Sequence, residues 1–289
     1  MTDNQEAAAT PADAKEPLDI VAELRGLALM LLAVLAFHSL VAKPFYIPSQ
    51  SMMPSLLVGD RLVVSKYPYG WSWVSASFHV LPRFSQRLLG GTPEYGDIVI
   101  AVPPDRDEDY IKRVVALPGD RIALVNGQIL LNGKPVPQAV EPAIELPVDP
   151  NSPCSQNDYP GLRQRKPSGL TVCALPVLRE TLPNGATYLV IDHMRQRLDN
   201  MAEIEVPKGH VFLMGDNRDH SADSRAETFE RGLGGPVPLE NIGGRAEFIT
   251  FSLDGEETLN PLSWFRSMRP GRAWTSLRPA LAPHAGQQE

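Results

Sequence analysis

The sequence predicts a mainly β protein: an antiparallel sheet core carrying a β-rich inserted accessory region, preceded by one N-terminal transmembrane helix. Three observations predict it. Short runs rich in Val, Ile and Leu, bounded by Gly, Pro or Asp, recur after residue 60. The chain holds 28 prolines and 22 glycines, many for a helical bundle and suited to turns between short strands. A single charge-free apolar run lies near the N-terminus, and beyond it no long stretch repeats its apolar residues every 3.6 positions.

Residues 1–23 carry Ala, Thr, Asp, Glu and Pro and little that packs, so they are expected to be a disordered tail. The run GLALMLLAVLAFHSLVA at 26–42 has no charge. As a helix it spans about 25 Å, and the stems of Arg25 and Lys43 extend that reach, placing a membrane anchor at 24–43. A buried core helix would show a polar stripe, and His38 with Ser39 is too little to make one. A cleavable signal peptide would open with basic residues, whereas this N-terminus is acidic apart from Lys15 and Arg25. Arg25 and Lys43 nearly balance across the span, so charge alone does not orient it.

Strands are predicted at 60–64, 97–102, 111–116, 121–125, 129–131, 187–191, 210–214 and 245–251, with a tight hairpin turn at Asn126-Gly127 and a second Asn-Gly at Asn132-Gly133. These divide into a core of 44–120 and 207–255 and an accessory region of 121–206. Within the core, 67–91 is an aromatic insertion with Trp71, Trp73 and Phe78, read either as ordinary core or as a hairpin resting on a bilayer interface. Residues 135–182, dense in Pro, Asn, Asp and Ser, read as a loop-rich excursion containing both cysteines. The tail at 256–289 interleaves Trp264, Phe265 and Trp274 with Arg266, Arg269, Arg272 and Arg278, which suits either a solvated tail or contact with anionic lipid.

Composition excludes some functions. With 27 basic against 34 acidic residues the net charge is −7, giving no overall electrostatic reason to bind nucleic acid. Two cysteines cannot build a four-ligand zinc site, and no cofactor or metal is expected.

Three stretches carry residues able to do chemistry. In FYIPSQSMMPSLLVGD, Pro48 and Pro54 stiffen the turn that holds Ser49 and Ser51. A serine there is a turn cap, or a nucleophile if a base reaches it. In DYIKRVVALPGDR, alternation puts Lys112 on one face with Val114 and Ala116 and points Arg113 the other way. A lysine on a buried face has its pKa depressed from about 10.4 and becomes a base, whereas one on an exposed face stays charged. The third stretch, GDNRDHSADSR, departs from an EF-hand loop at Arg218 and His220, and Asp-Arg pairing that stiffens a loop suits it better.

Together these stretches resemble the bacterial type I signal peptidases, membrane-bound serine proteases that remove signal peptides from exported proteins. The likeness runs in order through the anchor, IPSQSMMPSLLVGDRLVVSK, YGDIVIAVPP, DYIKRVVALPGDRIALVNGQILLNGKPV, and MGDNRDHSADSR followed by VPLENIGGRA. It implies a Ser-Lys dyad, with Ser51 as nucleophile, Lys112 as general base, and the Ser51 N–H and Ser49 hydroxyl as the oxyanion hole, a device whose removal typically costs ~10²–10³ in rate. It further implies that Ser221 positions the lysine and that Asp223 and Arg225 stabilise their block by ion pairing. Shallow apolar pockets would accept small residues at −1 and −3, lined by Phe45, Ile47, Met52, Leu56, Leu62, Ile100, Tyr110 and Ile111. The implied partners are signal peptides of exported preproteins and the lipid bilayer. The implied location is the bacterial inner membrane, single-pass, with the catalytic domain on the periplasmic side. The nucleophile's place nine positions beyond Ala42 keeps it near the membrane surface.

The chain departs from the family at Gln50, often Gly, at His220, often Asn, and in a longer run after Arg225. In an oxidising compartment a Cys154–Cys173 bridge is the expectation, with two buried thiols as the alternative. Closing that loop would contribute about 3 kcal/mol and stabilise the accessory region away from Ser51. Three other functions make different demands: a self-cleaving repressor-type protease needs a DNA-binding segment where the anchor stands, a non-catalytic β scaffold needs neither Ser51 nor Lys112, and a metal hydrolase would use Asp216 and Asp219.

Overall fold

The computed structural model describes residues 19–77 and 81–282, so most of the expected N-terminal tail, Phe78 and the last seven residues lie outside the described residues. Helix α1 (Ile20–Leu40) opens at Asp19, whose carboxylate accepts the N–H groups of Val21 and Ala22 at 3.1 and 3.2 Å. It is long and apolar enough to cross a membrane, and none of its residues is buried. The helix starts four residues before the expected anchor because Asp19 caps it. It stops short of the expected end because the next residues pair as a strand.

That strand is β1 (Ala42–Tyr46), followed by β2 (Asp60–Ser65), β3 (Ile98–Ala101), β4 (Tyr110–Ala116), β5 (Arg121–Val125), β6 (Gln128–Leu131), β7 (Lys134–Pro135) and β8 (Gln138–Pro147). Then come β9 (Arg163–Arg165), β10 (Thr171–Thr181), β11 (Ala186–Val190), β12 (Met201–Glu205), β13 (His210–Met214), β14 (Val237–Pro238), β15 (Ile242–Ser252), a short helix α2 (Pro261–Arg266) and β16 (Ala280–Leu281). Every strand pairing is antiparallel. Seven strands form one sheet in the order β1-β2-β15-β3-β4-β13-β14; a second runs β16-β11-β10-β8 with β9 on β10; a third runs β12-β5-β6-β7.

The central strands are buried on both faces, which is why they read as unbroken apolar runs. Ile98, Ile100, Ile111, Leu62 and Ile249 pack on one side, Val99, Ala101, Val114, Leu213 and Ile242 on the other. Val115, Ala116, Phe212 and Met214 join Ile122, Leu124, Ile129 and Leu131, so the large sheet and the β5–β6 hairpin share one core. At the hairpin tip Asn126 and Gly127 take φ of 51° and 84°, the left-handed pair a two-residue turn requires.

One expectation is corrected. Residues 135–182 are not chiefly loop: β8 and β10 pair along most of their length. Prolines hid them. Pro176 falls in the register shift between Leu175 and Val177, and Pro142 lies on β8 at the sheet's edge, both places where a strand tolerates a missing N–H. In the C-terminal tail three of the four arginines named above hold carboxylates of the body, while Trp264, Phe265 and Trp274 stay exposed. Arg269 pairs with Asp149 at 2.8 Å, Arg272 with Asp60, and Arg278 with Glu247 at 3.1 Å, while Leu277 enters the core. Within the aromatic insertion Tyr69 and Trp73 are buried, and the Trp71 indole N–H donates to the carbonyl of Leu40, the last residue of α1, at 2.8 Å.

Candidate active site

Ser51 lies in the connection between β1 and β2. A backbone turn builds it, with Met53 N–H donating to Gln50 O at 3.0 Å and Leu56 N–H to Met52 O at 2.9 Å. Asp60 closes the segment by accepting the Leu57 N–H at 2.9 Å. Strand β4 brings up Lys112, whose Nζ lies 3.0 Å from Ser51 Oγ and 2.9 Å from the Ile111 carbonyl. Both side chains are buried, Lys112 being 4% exposed. Burial lowers the lysine's pKa to about 8, against the opposing pull of Asp223 and Asp216. Ser49 Oγ stands 3.4 Å from Ser51 Oγ, on the solvent side.

The loop of residues 215–225 backs this pair. Asp223 takes a fork from Arg225, Nε at 2.9 Å and Nη2 at 3.0 Å, and also accepts the Gly215 N–H at 2.9 Å and the Ser221 hydroxyl at 2.7 Å. Burial works to raise the Asp223 carboxyl, and the Arg225 guanidinium more than offsets it, holding the pKa below the usual range. Ser221 thus serves Asp223, and among the described residues the hydrogen bonds of Lys112 Nζ go elsewhere. A Cβ on Gly215 would lie 2.2 Å from Ser221 Oγ and 2.5 Å from Ser51 O, so only glycine lets the two loops approach.

Arg113, on the strand face opposite Lys112, is also covered. It is buried and holds Asp216 through two bonds of 2.7 and 2.6 Å, because β4 has covered faces on both sides. Arg218 makes a second buried fork with Glu180 on β10, at 2.8 and 2.5 Å. Asp219 lies 2.7 Å from His193 Nδ1. Asp216 is taken up by Arg113 and one oxygen of Asp219 by the segment at His193, and among the described residues no three His, Cys, Asp or Glu side chains are grouped to hold a metal ion.

A cleft of about 510 Å³ opens over Ser51, lined by Phe45, Ile47, Ile100, Tyr110 and Ile111 together with Ser49 and Lys112. Of the expected lining, Met52, Leu56 and Leu62 are instead wholly buried in the core beneath, packed with Ile47, Ile100 and Ile111. The residues after Arg225 form part of the wall, Glu230 and Arg231 facing the cleft, with Arg231 paired to Glu108 at 3.2 Å. His220 also faces the cleft, its Nε2 3.1 Å from the Asp158 carbonyl.

Cys154 and Cys173 form a disulfide, Cα atoms 5.8 Å apart. Its position corrects the expectation of distance from Ser51: both cysteines line one small cavity with Gln50 and Met53, one position before and two after Ser51. Sequence reasoning missed Glu180, Asn217 and Tyr159. Asn217 stood in the quoted block with no signal beyond its neighbours, and the other two lie in the stretch read as loop.

The family description "Signal peptidase, peptidase S26" matches residues 21–251. The signal peptidase I of Rickettsia typhi is 34% identical over 220 residues, 75% of each chain. That of Rickettsia bellii strain OSU 85-389 is 34% identical over 232 residues, 80% of this chain and 73% of its own. A crystal structure of a signal peptidase I from Enterococcus faecalis aligns loosely, with a TM-score of 0.28 and 17% identity over 54% of this chain and 97% of its own. The extent of the first two likenesses defines a serine endopeptidase. The chain belongs to the signal peptidase family, peptidase S26.

Proposed function

We propose that this chain is a membrane-anchored signal peptidase that cleaves signal peptides from exported preproteins, with Ser51 as nucleophile and Lys112 as general base. The observation that carries the reading is the 3.0 Å contact between Ser51 Oγ and the Nζ of a lysine whose burial brings its pKa to about 8. A substantial fraction of Lys112 is then neutral near pH 8 and able to take the Ser51 proton.

The Ser51 oxygen attacks the scissile carbonyl. The resulting oxyanion is held by the Ser51 N–H and the Ser49 hydroxyl. Protonated Lys112 delivers its proton to the departing amine, leaving an acyl-enzyme on Ser51. Lys112 then takes a proton from water, the hydroxide attacks the ester carbonyl, and Lys112 returns the proton to the Ser51 oxygen as the signal peptide leaves. The Asp223–Arg225 pair stiffens the loop that backs the dyad, and Ser221 acts on Lys112 through that carboxylate. The preference for small residues at −3 and −1 follows from a floor already filled by Met52, Leu56 and Leu62. Helix α1 serves as the single membrane span, with the domain that follows it on the periplasmic side, where a Cys154–Cys173 bridge persists. The sheets suggest the division of labour, 44–120 and 207–255 catalytic and 121–206 accessory.

The test is cleavage of a preprotein in detergent by wild type and Ser51→Ala. The wild type is expected to cut and the variant, folded to the same thermal midpoint, to be inactive. An active Ser51→Ala would remove the reading.

A further inference from the structure

The accessory region packs against the turn that carries Ser51, and Tyr159 is the side chain of that region hydrogen-bonded to Gln50. Tyr159 lies in the loop closed by the Cys154–Cys173 bridge and is 2% exposed, packed with Met53, Leu57 and both cysteines. The His193 and His220 rings rest against it at 5.8 and 5.2 Å. Its hydroxyl donates to Gln50 Oε1 at 2.6 Å and accepts from Asn217 Nδ2 at 2.9 Å. The same Asn217 amide nitrogen donates to the Gln50 carbonyl at 3.2 Å, and the Asn217 backbone N–H donates to the Ser51 carbonyl at 3.1 Å.

These contacts matter because of peptide planarity. The Gln50 carbonyl and the Ser51 N–H belong to one trans peptide and point opposite ways. Holding the carbonyl toward Asn217 therefore aims the N–H away from it, to the side where an oxyanion must be met. An amide nitrogen has two hydrogens; with one on Tyr159, the other is oriented at Gln50 O. Burial pushes the Tyr159 hydroxyl up to about 12, so it remains a donor across the working range.

We propose that Tyr159, through Gln50 and Asn217, is a positioning residue for the Ser51 peptide that forms the oxyanion hole. This deepens the reading of Ser51 as nucleophile and rests on it. It also gives Gln50, where the family often has glycine, a partner of its own in this chain.

The test uses the full-chain enzyme in detergent with a peptide substrate. Tyr159→Phe keeps the ring and removes the hydroxyl. The expected result is a roughly three- to tenfold fall in kcat, with KM, thermal midpoint and pH profile unchanged. Gln50→Ala, which leaves the Tyr159 packing intact, should show the same fall, and the double variant should be no slower than either single. If Tyr159→Phe does not fold, Gln50→Ala decides alone. Wild-type kcat in Gln50→Ala, multiplicative losses in the double variant, or a shifted pH profile would each overturn the proposal. Ser51→Ala separates the two layers: if it is inactive while these variants are unimpaired, only the positioning role fails.

Discussion

Two lysines in this protein have nearly the same environment by burial and very different surroundings by chemistry. Lys66, just after β2, and Lys112, on β4, are 3% and 4% exposed, and burial lowers each to about 8. Lys112 meets Ser51 Oγ at 3.0 Å, below an open cleft. Lys66 lies in the fields of Asp109, Lys43 and Arg87, and among the described residues no hydroxyl is hydrogen-bonded to it. Desolvation alone thus makes a poised amine, and in Lys66 it makes one that does not line the cleft. What marks a base is the proton within its reach, so geometry must precede pKa in assigning a role.

The largest effect that tests this contrast is deletion. Lys112→Ala should lose activity on the order of 10³-fold or more, as for members of a catalytic unit, while Lys66→Met stays within about twofold of wild type. Steady-state cleavage of a peptide substrate measures both. A dead Lys66→Met with a normal fold would erase the distinction.

A smaller effect lies in pH. In the proposed mechanism neutral Lys112 is the active form, so the rate should climb through about pH 8 and level above it. Two units below that midpoint it should be roughly a hundredfold down under chemistry-limited conditions. Lys66→Met should leave the midpoint where it is.

The smallest is in stability. A lysine whose folded pKa lies below its unfolded value opposes folding when charged; wild-type stability therefore rises as pH climbs from about 8 toward 10.5, where both states lose the proton. Lys66→Met removes that penalty. Its Tm should exceed the wild type's at pH 7, by about 2–4 °C per kcal/mol recovered, with the gain shrinking as pH rises toward 10. Thermal melts across that range check it.

Much of this was legible in sequence. Strands buried on both faces announced themselves as apolar runs, the Asn126-Gly127 turn by its dipeptide, and the Ser51 and Lys112 stretches by their flanking prolines and valines. What stayed hidden was long-range or masked by proline. Alternation put Arg113 on the face opposite Lys112 but could not show what covers that face, because one strand does not reveal that both its sides are buried. Glu180 has no local mark: its role exists only once β10 brings it to Arg218. An oxidising compartment made a disulfide the expectation, yet nothing in the spacing of the cysteines placed them beside Gln50 and Met53.

The junction between anchor and body has a further consequence. Helix α1 ends at Leu40, β1 begins at Ala42, and Trp71 holds the last helical carbonyl. There is no tether to swing on. If α1 spans the bilayer as proposed, the cleft rides at a set altitude, and enzyme and substrate meet by lateral diffusion with one coordinate already decided. Such a protein works as a gauge: the distance between the end of a substrate's apolar stretch and its scissile bond becomes something it measures, independently of the residues on either side of the cut.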